Sequence, residues 1–176
     1  IKPEETAIFD LIVSVGYDKE QVIKNMAKFM NNENTKRTFE LLKAKSEAEN
    51  RYLGIKGKDI EVYQKMFSYL LFTPKVSIKA SYDRQCPVSE LWKYGISGDL
   101  PILLVKIKDV NDMHVIKDTL KAMEFFRSKN IKIDLVILNE EKNSYEHFIQ
   151  FEIEKEIQNK QLAFLKNTFG GIFVIN

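Results

Sequence analysis

The fold class follows from an apolar run at residues 102–107, Ile102-Leu103-Leu104-Val105-Lys106-Ile107. Two further runs follow along the chain, Ile133-Asp134-Leu135-Val136-Ile137-Leu138 and Ile172-Phe173-Val174-Ile175. Near-continuous apolarity is typical of parallel strands that are buried on both faces. We therefore predict an α/β module over residues 102–176: a three-stranded, mainly parallel sheet in βαβαβ order, with flanking helices and right-handed crossovers.

The two segments between these runs have helical spacing. Asn111 and Asp112 can cap the first helix, and Ser144 can cap the second. The apolar residues of both helices recur at positions that share one helix face. They are Met113, Ile116, Leu120 and Met123 in the first helix, and Tyr145, Ile149, Ile153 and Ile157 in the second.

Residues 17–73 form a predicted region of three helices, which makes the whole chain α+β. Asp18 and Gln21 resemble a capping box at the first helix. The second helix is predicted from about Glu33 to Tyr52, with Gly54 just past its end. The third begins near Asp59 and ends at Thr73-Pro74, because proline cannot continue a helix. The expected inward residues are Val22, Met26, Phe29 and Met30, then Phe39 and Leu42, then Val62, Met66, Phe67, Leu70 and Leu71.

The first 16 residues contain a predicted strand, from Thr6 to Val15, in which apolar residues alternate loosely. No hairpin partner follows it, so we expect its sheet to lie mostly outside this chain. The sequence ends with Gly170-Gly171 followed by a predicted strand, and a strand is an unusual last element for a complete domain. We therefore expect the chain to be a piece of a longer polypeptide, truncated within the module of residues 102–176.

Composition excludes several classes of function. The 176 residues carry 27 basic and 25 acidic side chains, a net charge of +2, which argues against nucleic acid or an anionic membrane as the main partner. Cys86 is the single cysteine, so an internal disulfide and a cysteine zinc site are excluded. His114 and His147 have no metal-binding spacing. No apolar run approaches the ~20 residues that cross a bilayer. We expect no metal, no cofactor and no membrane insertion by this segment.

The most informative segment lies in a predicted long loop, residues 74–101. It reads Leu91-Trp92-Lys93-Tyr94-Gly95-Ile96-Ser97-Gly98-Asp99-Leu100-Pro101. Aromatic rings stack on sugars and carboxylates accept hydrogen bonds from sugar hydroxyls, so Trp92, Tyr94, Ser97 and Asp99 are candidate substrate-binding residues. The alternative is a tight structural loop in which the glycines supply unusual dihedrals and the aromatic residues pack as anchors. It is not a phosphate loop, because its glycines precede a strand rather than a helix.

A second set of candidates follows the strands. Ligands of open parallel sheets bind beyond the carboxyl ends of strands, where Asp109, Asn139, Glu140 and Glu141 are predicted to lie. Solvated loop carboxylates are the simpler interpretation. A weaker hypothesis makes Asp99 and Glu140 the acid and base of a glycoside-processing site, which requires carboxyl groups about 5–9.5 Å apart.

The motif at residues 91–105 closely resembles an internal segment of the cyclic β-1,2-glucan synthases. Further resemblance occurs at Phe39-Glu40-Leu41, Tyr52-Leu53-Gly54-Ile55, Glu124-Phe125-Phe126, residues 133–145 and Gly170-Gly171-Ile172-Phe173-Val174. These are large enzymes related in part to the glycoside hydrolase family 94 phosphorylases and associated with glycosyltransferase family 36. The resemblance implies that residues 1–16 are an edge strand of a preceding β-sandwich and that residues 17–73 are a helical linker.

The same resemblance implies a place on the cytoplasmic side of a membrane-associated parent enzyme, with neighbouring domains of that polypeptide and β-glucan as partners. The phosphorylases carry a glucose-contacting segment that contains Tyr-Gly followed by Arg and Asp. In this chain Tyr94-Gly95 match that segment, but Ser97 and Gly98 stand where its Arg and Asp would be. Their general-acid segment is absent. We therefore expect a non-catalytic module with a scaffold or glucan-guiding role. The alternatives are a glycoside-processing domain in its own right and a doubly wound module that binds a small ligand.

Overall fold

The computed structural model describes residues 4–72, 87–141 and 147–176. The chain divides into two compact units, Ile1–Glu49 and Asn50–Asn176. The predicted helix stop at Thr73-Pro74, Cys86, the first part of the predicted loop, and Ser144 and Tyr145 of the second crossover lie outside the described residues.

The first unit is built on two helices, α1 (Lys19–Met30) and α2 (Asn32–Tyr52), the second of which ends just beyond the unit. The carboxylate of Asp18 accepts a hydrogen bond from the amide of Gln21 at 2.7 Å, and the Gln21 side chain accepts one from the amide of Tyr17 at 2.9 Å. The cap predicted at Asp18 is confirmed. In a capping box the Gln21 side chain would accept from the amide of Asp18, whereas here it accepts from the amide of Tyr17, the residue before the cap.

Two expectations for this unit differ from the structure. Residues 5–16 form neither helix nor strand, because a strand needs a hydrogen-bonded partner and the described residues supply none. Their place in a preceding β-sandwich stays a prediction. Phe39 and Leu42 are 69% and 56% exposed, so their inward assignment is wrong within the described chain. No residue of α1 or α2 is buried by the described residues.

The second unit contains the predicted sheet. Its strands are β1 (Ile102–Ile107), β2 (Asp134–Asn139) and β3 (Ile172–Ile175), and they are parallel in the order β1-β2-β3. Ile102 pairs with Asp134 and Ile107 with Asn139, so the amino ends of β1 and β2 lie at one edge of the sheet. The α/β prediction is confirmed.

Four described helices accompany the sheet in this unit after α2 ends. They are α3 (Gly57–Leu71), the short α4 (Ser89–Trp92), α5 (Met113–Ser128) and α6 (Phe148–Asn159). Short 3-10 turns lie at Val110–Asp112 and Ala163–Leu165. The first of these turns is capped by Asp109, whose carboxylate accepts from the amide of Asn111 at 2.8 Å. The residue that caps the helical part of the first crossover is therefore Asp109, two residues before the predicted cap at Asn111.

The main core lies between one face of the sheet and helices α5 and α6. Those predicted inward residues of both helices that the structure describes are buried there, together with Val105 and Ile107 of β1, Leu135 and Ile137 of β2 and Ile172 of β3. The helix residues are Met113, Ile116, Leu120 and Met123, and Ile149, Ile153 and Ile157. This burial accounts for the apolar residues on one face of each strand.

A second core joins α3 to α5 through aromatic residues. Tyr63 is 5% exposed and its ring centroid lies 5.3 Å from that of Phe125. Phe67 of α3 and Phe126 of α5 pack beside this pair. The inward face of α3 therefore differs from the prediction. Tyr63 is buried in place of Val62, which is 55% exposed, and Leu71 is also exposed.

Candidate functional site

The two faces of the sheet differ in their covering. Side chains of a strand alternate between faces, so residues 103, 105 and 107 of β1 face helices α5 and α6. Five apolar side chains of the opposite face line a groove, and we call this part of the sheet the open face. They are Ile102, Leu104, Val136, Leu138 and Ile175.

The segment at residues 91–101 covers part of the open face. It leaves α4 through a tight turn in which the amides of Gly95 and Ile96 donate to the carbonyls of Trp92 and Leu91 at 2.9 and 3.2 Å. Ile96 is 1% exposed and packs against Val136 and Phe173. The segment is therefore anchored by an aliphatic residue that the sequence did not single out.

Gly95 and Gly98 are required by the shape of this turn. Their φ angles are +76° and +81°, which L side chains rarely adopt. A Cβ on Gly98 would lie 2.6 Å from Cγ1 of Val88. The structural role predicted for the glycines is thus present, in the same segment as the candidate sugar contacts.

The outer side of the segment carries the predicted binding residues. Trp92 is 65% exposed, and its indole Nε1 donates a hydrogen bond to the carbonyl of Ser97 at 3.2 Å. The hydroxyl of Ser97 accepts one from the amide of Asp99 at 3.2 Å. These bonds hold Trp92, Ser97 and Asp99 together, with the indole accessible to a ligand. Tyr94 is half-exposed.

An apolar groove of about 380 Å³ lies over the open face. Its walls are the five open-face side chains together with Leu91, Tyr94 and Ile96 of the covering segment. Leu104 is 52% exposed at the middle of β1, although its neighbour Val105 is buried. Tyr94 therefore belongs to two surfaces, the groove and the outer side of the segment.

A buried carboxylate lies at the amino edge of the sheet. Asp134 is 1% exposed and accepts a hydrogen bond from the amide of Gly170 at 2.9 Å. Its Oδ2 is buried and has no hydrogen-bond partner among the described residues. Burial raises the pKa of this carboxyl, although the amides of Gly170 and Gly171 lower it; Asp99 adds to the rise. The only sequence signal is an acidic residue inside an apolar run, which by itself indicates no more than a position in a strand.

At the carboxyl edge, a depression of about 500 Å³ lies beyond β1 and β2, where the sequence placed its second set of candidates. Glu140 forms ion pairs with Lys108 at 3.0 Å and with Lys106 at 3.4 Å. The hydrogen bonds from Lys108 and Lys106 hold the pKa of Glu140 below its ordinary value. The residues around the depression are Lys108, Asp109, Val110, Glu140, Glu141, Phe148 and Ile149.

The structure does not bring Asp99 and Glu140 together. Asp99 precedes β1 at the amino edge and Glu140 follows β2 at the carboxyl edge. The ends of a six-residue strand are roughly 17 Å apart at about 3.3 Å per residue. This exceeds the ~5–9.5 Å that a glycoside-cleaving pair requires, so the acid/base pairing of these two residues is wrong.

Two other features bear on the chemistry of the chain. Within the described ranges, no three His, Cys, Asp or Glu side chains are grouped so that they could hold a metal ion. Among the helices of residues 4–72, 87–141 and 147–176, none is long and apolar enough to cross a membrane.

Comparison with known proteins relates part of the chain to a large enzyme. No protein-family profile matches the chain. It is 30% identical over 127 residues to the cyclic beta-(1,2)-glucan synthase NdvB of Rhizobium meliloti (strain 1021). The aligned residues make up 70% of this chain but only 4% of that protein. A segment of this chain is therefore related to a small segment of a cyclic beta-glucan synthase.

Proposed function

We propose that this chain is an internal, non-catalytic module of a long polypeptide that synthesises or processes β-1,2-glucan. The observation that carries the proposal is the 127-residue similarity to a cyclic beta-(1,2)-glucan synthase. The motif resemblance to the family 94 and glycosyltransferase 36-associated enzymes is consistent with it. In this proposal the partners of the module are neighbouring domains of a membrane-associated parent, on the cytoplasmic side.

The proposed role is to guide a glucan chain past the segment at residues 91–101. An exposed indole and an exposed aspartate in one short segment match the chemistry of a sugar ring, which has an apolar face and hydroxyl groups at its rim. The hydrogen bond from Trp92 to Ser97 fixes the plane of the indole. A ring held in place loses little conformational entropy when a ligand stacks on it.

The positions of the two carboxylates considered as an acid/base pair support a non-catalytic role. Asp99 is separated from Glu140 by the length of the sheet. Glu140 is held between two lysines that keep it ionised, which does not suit a general acid. Turnover of β-1,2-glucan by the 176-residue chain, with or without phosphate, would refute this part of the proposal.

The test of glucan contact is a titration of the ¹⁵N-labelled chain with linear and cyclic β-1,2-glucans, with a β-1,3-glucan as control. Trp92 is the single tryptophan, so its indole N–H gives one unambiguous resonance inside the site. We expect selective shifts of this resonance and of residues 94–99. Trp92→Ala should weaken binding several-fold as followed by the shifts of residues 94–99.

The matched control is Phe151→Ala, which removes an aromatic side chain of similar exposure, 62%, from α6. This variant should bind as the parent chain does. No shifts at millimolar sugar, or equal weakening by both substitutions, would remove the glucan-guiding role.

The depression at the carboxyl edge favours one second candidate, a module that binds a small ligand. It lies where open parallel sheets bind ligands. Its volume of about 500 Å³ is within the range of small-molecule sites. Inorganic phosphate, glucose and UDP-glucose are suitable probes in the same NMR experiment. Saturable shifts confined to Lys108, Glu140 and Ile149 would favour this candidate, and their absence would count against it.

A further inference from the structure

The open face is unusual for a parallel sheet. Parallel sheets occur almost only with both faces covered, because crossover helices pack on them. Here α5 and α6 bury one face, whereas Leu104 in the middle of the other is 52% exposed. The segment at residues 91–96 covers only the side of the face near Val136 and Phe173. Among the described residues, nothing fills the groove above Leu104 and Leu138.

The chemistry of the groove selects the kind of occupant. Its walls are aliphatic and aromatic side chains. Sugar hydroxyls or the backbone of an added strand would lose hydrogen bonds to water there without replacement, which costs free energy. An α-helix satisfies its backbone hydrogen bonds internally and presents an apolar stripe to such a surface.

We propose that an amphipathic helix of the same polypeptide, from outside these 176 residues, docks on the open face and completes the second layer of the sheet. The source of the helix rests on the first part of the proposed function, that the chain is a module of a longer protein. The matched stretch of NdvB is only 4% of that protein, so a polypeptide of that kind carries ample sequence to supply the helix. The docking surface is separate from the exposed outer side of Trp92.

Site-specific photo-crosslinking in the complete polypeptide tests this docking. p-Benzoylphenylalanine replaces Leu104 in one sample and Phe151 in the control, because Phe151 is at least as accessible but lies on α6. Mass spectrometry of the crosslinked peptides identifies the partner. We expect crosslinks from position 104 to a helical segment outside residues 1–176, in several-fold higher yield than from position 151.

Crosslinks from position 104 to residues 1–176, to a second copy or to another protein would overturn the proposal, as would a yield no higher than that of the control. A second measurement covers the case in which the bulky probe blocks docking. Leu104→Ser should lower the melting temperature of the module clearly more in the complete polypeptide than in the 176-residue chain. Equal shifts in both would overturn the proposal.

Val115→Ser provides the matched control for this measurement, because Val115 is 39% exposed on α5. It should lower the melting temperature equally in both contexts. The glucan titration and the crosslinking experiment test different claims, so one can be negative while the other is positive. A positive crosslink with a negative titration removes the glucan-guiding role alone, and the reverse result removes the docked helix alone.

Discussion

The carboxylate of Asp134 accepts a hydrogen bond from the amide of Gly170, 36 residues further along the chain, at 2.9 Å. This bond ties the start of β2 to the turn that precedes β3. The backbone of the next residue, Gly171, helps to lower the pKa of the same carboxyl, and Gly171 lies close to the carbonyl oxygen of Leu165. The amino edge of the sheet is therefore fixed by one buried acid and two glycines, and its stability should depend on pH and on the absence of a side chain at residue 171.

The first prediction concerns the pH dependence of Asp134. Its pKa in the folded chain is raised above 3.8, mainly by burial. Such a carboxyl binds its proton more tightly when folded, so its contribution to stability is greatest at low pH and is lost as pH rises through the folded pKa. The free energy of unfolding of the parent chain should therefore fall relative to that of Asp134→Asn as pH rises above 3.8.

Urea unfolding followed by circular dichroism over a series of pH values measures this difference. Asp118→Asn makes the same chemical exchange at an exposed position of α5. Parallel stability curves for Asp134→Asn and the parent chain would contradict the prediction.

The second prediction is that residue 171 tolerates no side chain. A Cβ there would lie 2.1 Å from the carbonyl oxygen of Leu165 and 2.6 Å from that of Thr168. Because both are backbone atoms, the clash is relieved only by moving the turn, and Gly171→Ala should destabilise the chain by about 3 kcal/mol. Gly57→Ala is the control, since a Cβ there meets nothing within 4 Å. It should change stability by less than about 1 kcal/mol, and similar effects of both variants in thermal unfolding would refute the argument.

The third prediction separates the anchor of residues 91–101 from their outer side. Ile96 is almost fully buried against Val136 and Phe173, so Ile96→Ala should cost about 3 kcal/mol of unfolding free energy. Leu104→Ala removes a similar side chain that is already half-exposed, and should cost less than about 1 kcal/mol in the 176-residue chain. Equal losses in urea unfolding would mean that Leu104 is covered in solution.

The strands could be predicted from the sequence because their apolar side chains lie in continuous local runs, although only β2 is buried almost throughout. Residues 102–107 and 172–175 show this apolarity almost throughout, and the structure confirms both strands. The inward residues of α5 and α6 were predictable for the same reason, since their contacts lie on one regular face.

Features that depend on a distant partner could not be predicted. Asp134 appears in the sequence as a polar interruption of a strand, and its partner Gly170 is recognisable only after folding. Phe39 and Leu42 have helical spacing but lack a covering surface in the described chain. In the segment at residues 91–101, sequence reasoning chose the aromatic residues, whereas the contact that fixes the segment is made by Ile96.

The last prediction concerns Asp59, which joins α3 to α5. Its carboxylate accepts from the amide of Lys56 at 3.0 Å and pairs with the ammonium group of Lys121 at 2.9 Å. The bond from the Lys56 amide, followed by that from Lys121, holds the pKa of Asp59 below 3.8. A carboxyl of this kind stabilises the fold above its unfolded pKa, and its contribution is lost as pH falls through the lower, folded pKa.

The parent chain should therefore be more stable than Asp59→Asn at neutral pH, and the two should converge in acid. Lys121→Met should lose less of this pH-dependent stability, because the larger cause of the lowered pKa, the backbone bond, remains. Acid unfolding of the three chains, followed by circular dichroism, measures both effects. If Lys121→Met lost as much as Asp59→Asn, the ion pair rather than the helix cap would be the dominant link between Asp59 and the fold.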